Sequence, residues 1–142
     1  MGNPTTPRLR QTVLDCESPR ALAEFYRQLL GLTYRPGDEP PATGEPDPRG
    51  EDWLVLRAEE DGHGLAFQQV DDLSRPTWPE GERPQMLHLD TTVPTSEELR
   101  VQHDRALALG ATVLYDRFTD PDEPLFVFAD PAGHPFCIFV AD

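Results

Sequence analysis

A chain of 142 residues with 37% hydrophobic and 27% charged side chains has the make-up of a globular protein, long enough to bury a core and unlike a disordered segment. Its formal net charge is −14, from 26 acidic residues against 12 basic ones. Such a surface repels phosphate backbones and anionic lipid, which argues against nucleic acid and membrane as partners and leaves small neutral or cationic ligands free to approach.

No stretch approaches the roughly 18 consecutive apolar residues of a membrane span, and Met1 to Arg10 lacks the apolar run of a secretory signal. Gly2 and Thr6 match only the loose pattern for N-myristoylation. Cys16 and Cys137 are too few for a disulfide framework, which points to a reducing, cytoplasmic setting.

Residues 8–16 read as a first strand. Ser18-Pro19 then supplies an N-cap with proline at the first helical position. Leu22, Phe25, Tyr26, Leu29 and Leu30 recur at helical spacing, so one stripe of this helix is expected to be buried. Gly31 stands where a left-handed C-cap belongs. Strands are expected at 32–35, 52–58 and 64–70. Between the first two lies a proline-rich acidic loop, 36–50, long enough to be mobile and to fold over a pocket mouth. A second proline-rich stretch, 73–84, reads as a linker and carries Trp78.

The same order then begins again. Residues 86–93 read as a strand rich in β-branched residues, and Thr95 with Glu98 makes a capping box. Leu99, His103, Ala106 and Leu107 form the helical stripe, Gly110 ends it, and strands are expected at 111–116, 124–129 and 135–140. Leu30-Gly31-Leu32-Thr33 matches Leu109-Gly110-Ala111-Thr112. The last hairpins align through Asp61-Gly62-His63 and Ala132-Gly133-His134, which makes Ala66 and Cys137 equivalent. The expected fold is therefore α+β: one domain, 1–142, of two tandem βαβββ modules at 8–71 and 85–141.

Several of these pieces resemble a known family. They are Leu14-Asp15-Cys16, the helix from Ser18-Pro19 to Leu29-Leu30-Gly31-Leu32, His88-Leu89-Asp90, Ala108-Leu109-Gly110-Ala111-Thr112 and Asp130-Pro131-Ala132-Gly133-His134-Pro135-Phe136-Cys137. Their order and spacing, repeated twice, are similar to the glyoxalase-like domains of the vicinal-oxygen-chelate superfamily, which includes bleomycin-resistance proteins and dioxygenases. The resemblance implies two modules whose curved sheets enclose a cup or incomplete barrel, helices outside, with a small-molecule ligand inside.

Alternation along the strands then assigns faces. Leu9, Leu14 and Cys16 are expected around the helix-facing set of the first strand, Thr12 sharing their face only by allowing a bulge or edge change near residue 9; Gln11, Val13 and Asp15 lie opposite. His88, Asp90 and Thr92 are the cup-facing residues of the equivalent strand, with Ala66, Gln68, Cys137 and Phe139 pointing inward from the last strands. Trp53, Phe126 or Phe128 would add an aromatic wall.

Family members that hold a divalent metal draw one donor from the first and last strand of each module. Carried over, those slots are Gln11, Ala66, His88 and Cys137. Gln11, His88 and Cys137 are then the candidate ligands for zinc, nickel, manganese or iron, while Ala66 offers nothing and Cys137 replaces a usual glutamate. Glyoxalase-type isomerisation needs a metal and a carboxylate, so Asp15 or Asp90 would have to act as the base.

Each candidate also has a plain structural reading. His88 is a hydrogen-bonded barrel histidine, His103 a packing residue, His63 and His134 turn residues, and Cys137 a small buried hydrophobe. The missing donors favour a small-molecule-binding protein with a degenerate metal site. The alternatives are a metal-dependent lyase, isomerase or dioxygenase, and a non-catalytic structural or dimerising domain, homodimers being common in the family.

Overall fold

A computed structural model describes residues 6–58 and 63–141. Gly2 of the myristoylation pattern and the Asp61-Gly62 turn lie outside them. The chain divides into two compact units, the first ending at Asp71 and the second starting at Asp72. Each is a βαβββ module. The first holds β1 (Gln11–Cys16), α1 (Pro19–Leu30), β2 (Thr33–Tyr34), β3 (Trp53–Arg57) and β4 (Gly64–Gln69). The second holds β5 (Leu89–Val93), α2 (Ser96–Leu109), β6 (Thr112–Arg117), β7 (Leu125–Ala129) and β8 (Pro135–Val140).

The two sheets have the same topology. Their orders are β1-β4-β3-β2 and β5-β8-β7-β6, with the first and last strands of each module parallel and the other pairs antiparallel. The expected helix boundaries hold because the capping chemistry holds. Ser18 Oγ accepts from the Ala21 amide, Thr95 Oγ1 accepts from the Glu98 amide, and Gly31 and Gly110 close the helices at φ 69° and 117°.

In the first unit α1 lays Leu22, Phe25, Tyr26 and Leu29 on the sheet face formed by Leu14, Cys16, Leu54, Leu56, Leu65 and Phe67, all of them buried. Tyr26 meets Phe25 edge-on at 4.9 Å and stacks on Phe67 at 6.1 Å. Burying one such side chain contributes about 1.5–3 kcal/mol. Leu9 does not join this core: it precedes β1 and is 81% exposed.

The proline-rich segment 36–50, expected to be mobile, is instead tied to its unit. Asp38 is fully buried, accepts from the Val55 amide at 2.9 Å and pairs with Arg35 and Arg49. Arg20 of α1 grips Asp47 with two bonds of 2.8 and 3.0 Å and also donates to the Asp38 carbonyl. A buried charge held by this many donors anchors a segment rather than lubricating it.

In the second unit α2 fully buries only Leu99 and Ala106, while Leu107, expected in the stripe, is 40% exposed. His103 takes its place by packing on Phe126 and Phe128, with ring centroids 4.5 and 6.0 Å apart. The strand expected from residue 86 begins at Leu89, leaving Met86 91% exposed. Its ladder to β8 starts at Leu89↔Phe136, and the next residue back on β8, Pro135, has no N–H to donate. The Asp130–His134 turn is organised by Asp130, whose Oδ1 accepts from the amides of Ala132 and His134. The linker docks on this turn: Arg75 donates to the Pro131 carbonyl, and Arg83 donates to the Arg75 carbonyl at 2.6 Å.

Candidate functional site

Each sheet carries its helix on one face only, so the register decides which side chains stand on the other. In the first unit Gln11, Val13 and Asp15 pair with Gly64, Ala66 and Gln68, which pair in turn with Arg57, Val55 and Trp53. Gln11, Val13, Asp15, Gln68 and Trp53 thus share the helix-free face. Cys16 lies on the other side with Leu14, its thiol donating to the Gln68 carbonyl at 3.7 Å.

In the second unit Asp90 and Thr92 pair with Cys137 and Phe139, and these with Val127 and Leu125. Phe126 is a correction. It pairs with Ile138, is fully buried and packs on His103 of α2, so it belongs to the helix side and lines no ligand face. Phe128 lies on the same side. On the helix-free face the register instead puts Tyr115 and Arg117, whose parity is reset by a bulge between Val113 and Tyr115.

His88 immediately precedes β5, two residues before Asp90, and period-two alternation sends both side chains to one face. His88 Nε2 lies 3.2 Å from Asp90 Oδ1. Cys137, the register partner of Asp90, completes a trio whose donor atoms all lie within 4.8 Å of one another. The thiol is half-buried and its pKa is pushed up to about 11, first by that burial and then by the charge of Asp90 and a hydrogen bond to it. His88 and Asp90 are open to solvent, their side chains 44% and 58% exposed.

Two members of this trio, His88 and Cys137, were expected as metal donors. The third, Asp90, was expected only as a base, although the His88-x-Asp90 spacing already put both on one face. Gln11 belongs to the first unit, where the matching positions are Gln11, Val13 and Ala66. An imidazole, a carboxylate and a thiolate fit a divalent transition metal. Two donors about 2.1 Å from a tetrahedral ion stand about 3.4 Å apart, close to the His88–Asp90 separation. Among the described residues no helix is long and apolar enough to cross a membrane.

A duplicated βαβββ fold, with donor positions on matching strands, defines a protein of the vicinal-oxygen-chelate superfamily. Within it, this chain belongs to the glyoxalase-like domain family, whose model matches residues 11–139. Solved structures agree on the fold. A glyoxalase/bleomycin resistance protein/dioxygenase family enzyme from Burkholderia phytofirmans PsJN has a TM-score of 0.65 at 18% identity, covering 94% of this chain and 98% of that one. A lactoylglutathione lyase from Agrobacterium tumefaciens has a TM-score of 0.59 at 15% identity, with 98% and 96% covered. The fosfomycin resistance protein FosX from Listeria monocytogenes, complexed with Mn(II) and sulfate, has a TM-score of 0.63 at 14% identity, with 97% and 95% covered. No curated protein matches the chain in sequence.

Proposed function

We propose that this protein binds a small molecule in the manner of the glyoxalase/bleomycin-resistance group, with the ligand against a helix-free sheet face and the four-slot metal site degenerate. The observation that carries this reading is Ala66. It occupies the slot matching Cys137, is fully buried and has no donor atom, so one of the four slots that the family resemblance implies is without a donor. The helix-free face of the first unit suits an aromatic or heterocyclic cation: Trp53 offers aromatic surface, Gln11 and Gln68 amides, and Asp15 negative charge. The protein acts in the cytoplasm as one two-module domain. It pairs into a homodimer, since the outer strands of each four-stranded sheet have one side unpaired within that sheet.

The test is a thermal-shift screen of metal-free protein against aromatic and heterocyclic cations, including a bleomycin-type glycopeptide. A ligand at a hundred times its Kd adds about 2.7 kcal/mol, a shift of several degrees. Trp53→Ala and Asp15→Asn should each reduce the shift. Shifts that persist unchanged in both variants would sink the proposed face.

A second reading, a metal-dependent lyase, isomerase or dioxygenase, is favoured by the His88–Asp90–Cys137 trio and by the likeness to a dioxygenase-family enzyme and a lactoylglutathione lyase. Here the residues would hold zinc, nickel, manganese or iron, and the bound metal would supply Lewis-acid polarisation of a substrate oxygen. Turnover by metal-loaded protein that vanishes in His88→Ala would establish it.

A further inference from the structure

We propose that the ligand of the first unit is bipolar, an aromatic or heterocyclic cation joined by an apolar chain to a carboxylate that Arg57 and Gln11 receive. This deepens the ligand-binding reading and rests on it, since the cationic end is the one given to Trp53, Gln68 and Asp15.

The strand register sets out the poles. On the helix-free face it makes three rows across β1, β4 and β3: Asp15, Gln68 and Trp53, then Val13, Ala66 and Val55, then Gln11, Gly64 and Arg57. The outer rows stand about 13 Å apart at the rise of an extended strand. One carries a carboxylate and an indole, the other a guanidinium and an amide. Asp15 and Arg57 are also two strands apart, which puts their Cα atoms about 16 Å from one another, farther than the two side chains can span together. These opposite charges therefore cannot pair with each other and mark opposite ends of one face.

Between the poles the face is apolar. Val13 is 39% exposed while Ala66 and Val55 are buried, so the open path from one pole to the other runs along β1 over Val13. In the far row Gly64 brings no side chain between Gln11 and Arg57. A Cβ there would stand 2.1 Å from the Leu56 carbonyl oxygen, so the position admits only glycine and the gap is built in. A guanidinium fork on one side of that gap and an amide on the other suit a planar carboxylate, which accepts from both.

Charge decides the order of contacts. A net charge of −14 disfavours a simple anion, so the carboxylate is held as the second contact of a ligand whose cation is attracted first. The second unit contains the control. Its matching rows hold Thr92, Phe139 and Leu125 at one end and His88, Pro135 and Ala129 at the other, so neither the Asp15 carboxylate nor the Arg57 guanidinium has a counterpart there.

The experiment titrates the full tag-free, metal-free chain by calorimetry. The probes are N-methylquinolinium, a quinolinium whose N-linked alkyl carboxylate spans about 13 Å, and the primary carboxamide of that compound. A saturated fatty acid of matching length is the probe without a cation. The carboxylate should bind about tenfold more tightly than its carboxamide, as expected of one charge-assisted hydrogen bond. Arg57→Gln should erase that difference, Arg57→Lys should keep part of it, and both should bind N-methylquinolinium as wild type does, which shows that the face is intact. Asp15→Asn should weaken every quinolinium probe, and the fatty acid should not bind. Equal affinity for carboxylate and carboxamide overturns the bipolar ligand but leaves the cation site standing, as does an advantage that survives Arg57→Gln. Tight binding of the fatty acid overturns it too, by showing that the cation is not needed. Failure of all the quinolinium probes to bind removes the cation site and the bipolar ligand together.

Discussion

The two units share one topology and use it differently. The first invests in packing: α1 buries Leu22, Phe25, Tyr26 and Leu29, and its long β2–β3 connection is locked by Arg20, Asp38 and Asp47. The second has a lighter helix, with His103 covering phenylalanines where a leucine would do, and it places three polar donors at positions where the first unit has one, Gln11. One topology thus carries an anchored, well-packed helix in one unit and a cluster of polar side chains in the other, and the strand register dictates where that cluster stands.

The largest effects should come from the packing side. Tyr26→Ala removes a fully buried ring from between Phe25 and Phe67 and should cost about 3–5 kcal/mol in denaturant unfolding. His103→Ala, on a partly exposed ring of α2, should cost no more than about 1.5 kcal/mol. Equal costs would erase the contrast between the helices. Asp38→Ala comes next, at about 3 kcal/mol, because it strands the Val55 amide and leaves Arg35 and Arg49 unpaired. Faster hydrogen exchange at Val55 would locate the damage; unchanged exchange there would show that the segment is not anchored by this carboxylate. Smaller still are the caps. Ser18→Ala and Thr95→Ala should each cost about 1 kcal/mol, matching one another because the cap bonds match at 3.3 and 3.1 Å.

The duplicated order of elements was legible because local signals carry it: Ser18-Pro19, Thr95, Gly31 and Gly110 mark helix ends wherever the chain goes next. The helix-free faces of β1 and β4 were legible too, since alternation needs only one strand at a time. Phe126 was not. Every residue of β7 is buried, so the strand shows no alternation, and its face is set by pairing with Ile138. Asp38 looked like a solvated loop acid because its partners, Arg49 and the Val55 amide, lie on the far side of the loop. Asp90 was placed on the right face, but its meeting with Cys137 depends on a parallel pairing between strands that lie at opposite ends of the module. Local chemistry writes the elements, whereas register between distant strands writes the site.

Acid should separate the two units further, with the smallest effect of the set. Glu24 is held below its ordinary value of 4.5 first by the hydrogen bond from Arg27, with the Tyr34 hydroxyl also donating to it. Asp47 is held below 3.8 chiefly by Arg20. A depressed carboxylate adds stability that is fully present above its unfolded pKa and is lost as pH falls through the folded one. The first unit should therefore start to loosen below about pH 4.5, with Glu24 leading and Asp47 following. In the second unit Asp120 is held at about 2 by Arg117 and by the amides of Glu123 and Asp122, so its contribution survives to lower pH. Glu24 and Asp47 are both partly exposed, so solvent screening limits the change to about 1 kcal/mol or less, a few degrees of Tm. Hydrogen exchange followed from pH 6 to 3 should show α1 amides losing protection before those flanking Asp120. Glu24→Gln should flatten the first part of that curve. If protection in the two units falls together, or Glu24→Gln leaves the curve unmoved, the salt-bridged acids are not what distinguishes the first unit from the second.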